Sequence, residues 1–241
     1  MTTRLTNSSL FIQGTIDSLP LVFAAIPFGI IFGALSIEVG LSVWETVSMS
    51  FYVFAGSSQF IAVTLIDSSA PFSVILLTVF IVNLRHMLYS ANLMKIVARL
   101  PQKIRIPMSF WLTDETFAVV SKRITRDFNE DNIHWYFLGS AFAMYTMWTS
   151  FTIFGIFLSQ QLPDLSSWGL EVAMIVGFIA IIVPNLKFDR DWICVGTAVL
   201  TTIVTYQWPN QTGLLFSSIL AIIAAVLFEL YFQSPEDSKN G

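Results

Sequence analysis

A knot of small and polar residues, Phe54-Ala55-Gly56-Ser57-Ser58-Gln59-Phe60, interrupts an otherwise apolar stretch of this chain. Hydrocarbon offers no water to a freed backbone group, so such a knot must face protein or an aqueous cavity. Of the 241 residues, 55% are hydrophobic and 12% charged, about half the charge of a typical soluble domain. The pattern predicts an all-α, polytopic helix bundle embedded in the cell membrane. The single cysteine, Cys194, excludes an internal disulfide framework and argues against a cysteine metal cluster.

Apolar stretches fall near Ser18–Ile37, Trp44–Ile66, Phe72–Leu93, Pro107–Val120, Tyr136–Leu158, Leu170–Val183, Trp192–Trp208 and Gly213–Phe232. A helical span needs roughly 17–25 residues, so the fourth is short, and it carries Asp114 and Glu115. Lys95, Arg99, Lys103 and Arg105 precede it and Lys122, Arg123 and Arg126 follow it. Both clusters stay in the cytoplasm if this stretch is re-entrant or half-inserted. That gives about seven crossings with the N-terminus outside, eight full crossings being the alternative. Residues 1–13 read as a tail without a cleavable signal, 14–233 as one membrane transport domain and 234–241 as a disordered tail. A faint internal echo links Phe32-Gly33 and Leu41–Trp44 to Phe154-Gly155 and Leu165–Trp168, and Asn83–Arg85 to Asn185–Lys187.

Several constellations carry chemistry. Gly56 allows an unwound turn, and the N–H groups that open the following half-helix suit a carboxylate. Ser57, Ser58 and Gln59 supply the side-chain contacts; the bland alternative is a continuous helix bonded to its neighbours. In Asn83-Leu84-Arg85-His86, an arginine this deep is costly unless it is paired, faces water or snorkels to the headgroups. One of Asp114 and Glu115 can pair with Arg85 while the other titrates, with His86 as a further proton carrier; capping of a helix at the water interface competes with this reading. Pro27 with Gly29 and Gly33 suggests either a flexible gate or close helix packing. Trp111, Trp135, Trp168, Trp192 and Trp208 fit an interfacial belt, His134 a loop, and Glu171 and Glu229 span ends. No nucleotide, metal, nucleic-acid or hydrolase motif occurs, so no cofactor is expected.

Pro27-Phe28-Gly29 with Gly33, Met49-Ser50, Phe54–Phe60, Asn83–His86 with Tyr89-Ser90-Ala91, and Leu112–Ala118 occur in this order. Together they resemble the AzlC (BrnF-like) family over about Gly14 to Leu230. The resemblance implies the large subunit of a bacterial branched-chain amino-acid exporter in the inner membrane. It further implies export of leucine, isoleucine and valine, with methionine as an added substrate, driven by the proton motive force. The implied partner is a small hydrophobic AzlD-like subunit, and membrane lipids and a homo-oligomer are further possible contacts. Gly56, Ser57, Ser58, Gln59, Asn83 and Arg85 would then bind substrate, His86, Asp114 and Glu115 couple protons, and Pro27, Gly29 and Gly33 gate. A membrane-embedded lipid-modifying enzyme and a non-transporting scaffold are the rival classes.

Overall fold

The computed structural model describes residues 6–126, 132–161, 188–208 and 212–232, together with 179, 183 and 186. Every regular element among the described residues is helical: α1 (Asn7–Glu38), α2 (Val43–Tyr52), α3 (Gly56–Asp67), α4 (Phe72–Asn83), α5 (Arg85–Val97), α6 (Gln102–Phe110), α7 (Asp114–Arg126), α8 (Ile133–Gln161), α9 (Asp189–Thr205) and α10 (Thr212–Phe232). Among them, Asn7–Glu38, Phe72–Met94, Ile133–Gln161 and Thr212–Tyr231 are long and apolar enough to cross a bilayer. The chain divides into two compact units, residues 1–64 with 79–170, and residues 65–78 with 171–241.

The spine of the first unit is α1 against α8. The helices approach so closely that a Cβ on Gly33 would sit 2.1 Å from the Thr152 carbonyl oxygen, and one on Gly155 2.1 Å from that of Ile30. Gly14 meets Tyr136 and Gly139 meets Phe11 in the same way. Residue numbers rise together along both helices, so they run parallel. Ser18 donates to Ser140 at 2.6 Å, a pair 122 residues apart, and Gly14–Tyr136 and Gly29–Phe151 join residues at that same separation. The contacts of α1 with α8 are thus reciprocal, as in a two-fold pair, and this is where the Phe32-Gly33 and Phe154-Gly155 echo falls. The other halves of that echo, residues 165–168, 185 and 187, lie outside the described residues. α1 continues unbroken through Pro20 and Pro27.

Two helical hairpins lean on this spine from opposite ends. Gly40, at φ +96°, ends the first turnaround after α1, and a capping box between Ser42 and Glu45 starts α2. α2 descends along α8: Ser50 bonds Thr152 at 3.0 Å, whereas Phe51 and Phe54 reach Tyr145. α3 then turns back, with Phe60 against Phe28, Phe32 and Trp148. α6 rises from the other end until Phe110 and Trp111 meet the same Tyr145. α7 returns, with Phe117 on Tyr89 and Val119 and Val120 in a cluster with Leu10, Leu93, Ile133 and Phe137. At about 1.5 Å per residue each hairpin arm covers about half of the hydrocarbon.

The short fourth stretch is accordingly half-inserted and both of its basic flanks, with Lys103, Arg105, Lys122 and Arg123, share one end. By the positive-inside rule that end is cytoplasmic. Two corrections follow. The stretch Trp44–Ile66 is broken at 53–55 and folds back instead of crossing: α2 runs along α8 from Thr152 to Tyr145, and α3 returns to place Phe60 against Phe28 and Phe32 of α1. The start of α1 lies beside Ile133 at the basic end, where Asn132 bonds Asn7 at 2.9 Å, so the positive-inside rule assigns the N-terminus to the side of the basic clusters, where the sequence reading put it opposite them. His134 is also not a loop residue but a buried one in α8. Trp111 sits at a hairpin tip and not at an interface.

In the second unit α9 and α10 run antiparallel. Gly213 packs on the Thr205 carbonyl, Thr205 and Ser217 hydroxyls lie 3.3 Å apart, and at the far end Arg190 pairs with Glu229. Trp168 and Glu171 lie outside the described residues.

Three outcomes test this architecture. Gly33→Ala forces backbone apart and is expected to cost ~1–3 kcal/mol as overpacking, seen as a lower melting midpoint in detergent. Gly196→Ala, which meets nothing within 4 Å, should be neutral or slightly stabilising. Cysteines at Gln102 and Lys122 in a Cys194→Ser chain should react with an impermeant maleimide from the same face that exposes an N-terminal tag. Labelling from opposite faces would contradict the α6–α7 hairpin.

Candidate functional site

The two hairpin tips meet on the kink between α4 and α5. At that kink Leu84 keeps helical dihedrals, but its N–H turns to Ile81 at 3.1 Å and Met87 turns to Leu84 at 3.0 Å. The tightened turn leaves the Asn83 carbonyl to His86 Nδ1, 3.1 Å away. A carbonyl only accepts, so Nδ1 carries the hydrogen and Nε2 of the neutral ring is left as the proton acceptor.

Arg85 ties both tips together. Its Nη1 pairs with Asp114 Oδ2 of α7, and its Nη2 donates to Ser57 Oγ of α3 at 3.2 Å. Ser58 donates to Asn83 Oδ1 at 2.7 Å. The ion pair is only partly shielded, with side-chain exposures of 27% and 39%, so it meets open space and is not sealed in apolar packing. Arg85 Nε and Asp114 Oδ1 are themselves buried without hydrogen-bond partners.

That open space is a cavity of about 50 Å³ lined by Phe54, Gly56, Ser57, Arg85, His86, Asp114, Glu115 and Trp148, among others. Two helix N-termini open onto it. At α3 the first intrahelical donor after the break is Gln59, bonded to Ala55 at 3.0 Å, so the N–H groups of Gly56, Ser57 and Ser58 have no helical acceptor. At α7 Thr113 caps the start, accepting from the Thr116 N–H at 3.3 Å, and its neighbours Asp114 and Glu115 occupy the favourable first turn. Capping and charge pairing thus coexist in one tip. Together the exposed N–H groups and the guanidinium give the cavity a positive lining that Asp114 and Glu115 balance.

Of the residues singled out in the sequence, Gly56, Ser57, Arg85, His86, Asp114 and Glu115 line this cavity, and Ser58 and Asn83 brace it from behind. Gln59 stands apart: it is fully buried, and neither atom of its amide has a hydrogen-bond partner. Pro27, Gly29 and Gly33 lie on α1, where Gly29 and Gly33 pack against α8 and do not line the cavity. The sequence reading missed Tyr145, which fills the gap between the tips, and gave no site role to Trp148, whose ring a Cβ on Gly56 would meet at 2.9 Å. It also passed over Asp17, whose carboxylate accepts from the Tyr136 hydroxyl at 2.7 Å. No group of three His, Cys, Asp or Glu side chains able to hold a metal occurs among the described residues.

Comparison with known proteins places this site in context. The model of the family described as AzlC protein matches residues 20–162, which contain both hairpins and the whole cavity. The chain belongs to the AzlC family. It is 28% identical over 225 residues to the inner membrane protein YgaZ of Escherichia coli, covering 91% of this chain and 88% of that one. An uncharacterized membrane protein of Archaeoglobus fulgidus is 34% identical over 188 residues, covering 76% of this chain and 79% of its own. One from Helicobacter pylori is 25% identical over 83% of this chain and 86% of its own. No solved structure matches. This AzlC-family chain is therefore a multi-pass protein of the cell membrane, of a family associated with transport.

Removing either end of the ion pair strands a partly buried charge. Arg85→Ala and Asp114→Ala are each expected to cost on the order of 2 kcal/mol, discounted for exposure. The double substitution should cost less than their sum, measured by thermal unfolding in detergent. Additive losses would mean that the two side chains do not depend on one another.

Proposed function

We propose that this protein is a secondary transporter, not an enzyme, and that it exports branched-chain amino acids, leucine, isoleucine and valine with methionine as a further candidate. In this reading it is the large subunit of a two-component exporter working with a small hydrophobic AzlD-like subunit, and it couples export to protons. The observation that carries the reading is the cavity itself. Two half-helix N-termini and a guanidinium converge at mid-depth, reached by hairpins from both faces, which suits a substrate carboxylate that must be released to either side.

The remaining groups divide by chemistry. Ser57, the free N–H groups of Gly56–Ser58 and Arg85 hold the carboxylate, and Glu115 or Asp114 faces the ammonium. Phe54, Met144 and Trp148 receive the aliphatic part. His86 Nε2 and Glu115 are the groups through which a proton is taken up and given back. At about 50 Å³ the cavity has room for a few waters and not for a leucine. Substrate entry separates the tips, and the orphaned Gln59 amide then gains a polar partner. Pro27 is the point at which α1 would flex to allow that separation.

Efflux of preloaded labelled leucine, isoleucine, valine and methionine, from cells with and without the small partner, tests this reading. Export that collapses with an uncoupler is the expected result. Ser58→Ala, Gln59→Ala and Arg85→Gln should each reduce it at least tenfold while membrane insertion is unchanged. Normal efflux from all three variants would remove the proposed site, and no efflux of any of these substrates by the paired protein would remove the substrate class.

A further inference from the structure

A second, larger cavity lies on the cytoplasmic side of the first, between α5, α6 and the start of α8. Its volume is about 210 Å³, some four times that of the central one. Its floor is apolar and firmly packed: Leu93, Met108, Leu112 and Phe137 are all 5% exposed or less. Its rim mixes polar Ser90 on α5 and Gln102, Arg105 and Ser109 on α6 with exposed apolar Met94 and Ile106. Arg105 forms no ion pair among the described residues.

We propose that this cavity is a loading site that takes up an aliphatic amino acid from the cytoplasm before it reaches the central site. This deepens the transporter reading and rests on it. Size, polarity and place all suit such a substrate. A floor of two aliphatic side chains, a methionine and a phenylalanine matches a branched hydrocarbon side chain, whereas the guanidinium of Arg105 at the rim matches a carboxylate. The volume is that of a side chain with its headgroup, too small for a partner helix about 10 Å across. The two cavities are neighbours along the chain: Leu112 lines this one and the adjoining Thr113 lines the other. On α5, Ser90 lies one turn beyond His86, and Tyr89 between them stacks on Phe117 at 4.5 Å. That stack and Leu112 form the inner door, and the loading site concentrates substrate against it.

An anionic lipid headgroup would present the same charge to Arg105, so the test separates the two. Ser90→Cys in a Cys194→Ser background, assembled with its small partner in inside-out vesicles, is labelled with a maleimide. Leucine, isoleucine and valine are expected to slow labelling at least fivefold, glycine much less, and Arg105→Gln should abolish the protection. Protection should be equal in phosphatidylcholine vesicles and in vesicles containing phosphatidylglycerol. No protection by leucine would overturn the proposal. So would slow labelling that requires phosphatidylglycerol and ignores leucine, which would assign the cavity to lipid. Protection without any leucine efflux would leave the loading site standing and sink the export reading instead.

Discussion

An arginine in the middle of a bilayer must be neutralised where it stands, and the first unit is arranged around that requirement. Arg85 finds no partner at the α4–α5 kink, where the spare carbonyl of Asn83 is taken by His86. It takes one partner from each hairpin, Asp114 from the cytoplasmic side and Ser57 from the other. Neither arm of either hairpin is long enough to cross alone, and each tip exposes backbone that lipid would not tolerate. The guanidinium and the tips solve one another's problem. The spine of α1 and α8 provides the rigid surface on which both hairpins rest, and its glycines set how near they come.

The same arrangement accounts for the division of labour along α8. Its glycine face at 139 and 155 packs on α1, while Met144, Tyr145 and Trp148, on the stretch between, confront the tips. Tyr145 touches Phe51 and Phe54 of one hairpin and Phe110 and Trp111 of the other, so one ring separates two elements that approach from opposite faces. Small residues build the spine and aromatic ones build the partition.

Much of this was legible in the sequence, for reasons that differ by element. The break before Gly56 could be read because small and hydroxyl residues gather there against an apolar background. The half-inserted fourth stretch could be read because two basic flanks cannot lie on opposite sides of a membrane without cost. The pairing of Arg85 with an acid followed from the price of a lone charge in hydrocarbon. The reversal of α3 could not be read: Trp44–Ile66 has the length and polarity of a span, and hydropathy carries no direction. Once that stretch was counted as a crossing, the side of the N-terminus came out inverted. Tyr145 and Trp148 are ordinary apolar residues in their own helix and gain significance only from what faces them. The loading cavity was hidden for a similar reason, since Arg105 already had a sufficient explanation as a topological charge.

The opposed hairpins have an electrical consequence. Should water follow substrate in to the polar tips, the insulating layer would be thinner than the bilayer, and much of the transmembrane voltage would fall across the short distance between the two tips. A charge that moves past Arg85 would then cross much of the field in a few ångströms, the whole field being worth about 2.3 kcal/mol for each 100 mV. The protein would thus act as a lens for the membrane potential, focusing it on the one place where its carboxylates and histidine are gathered.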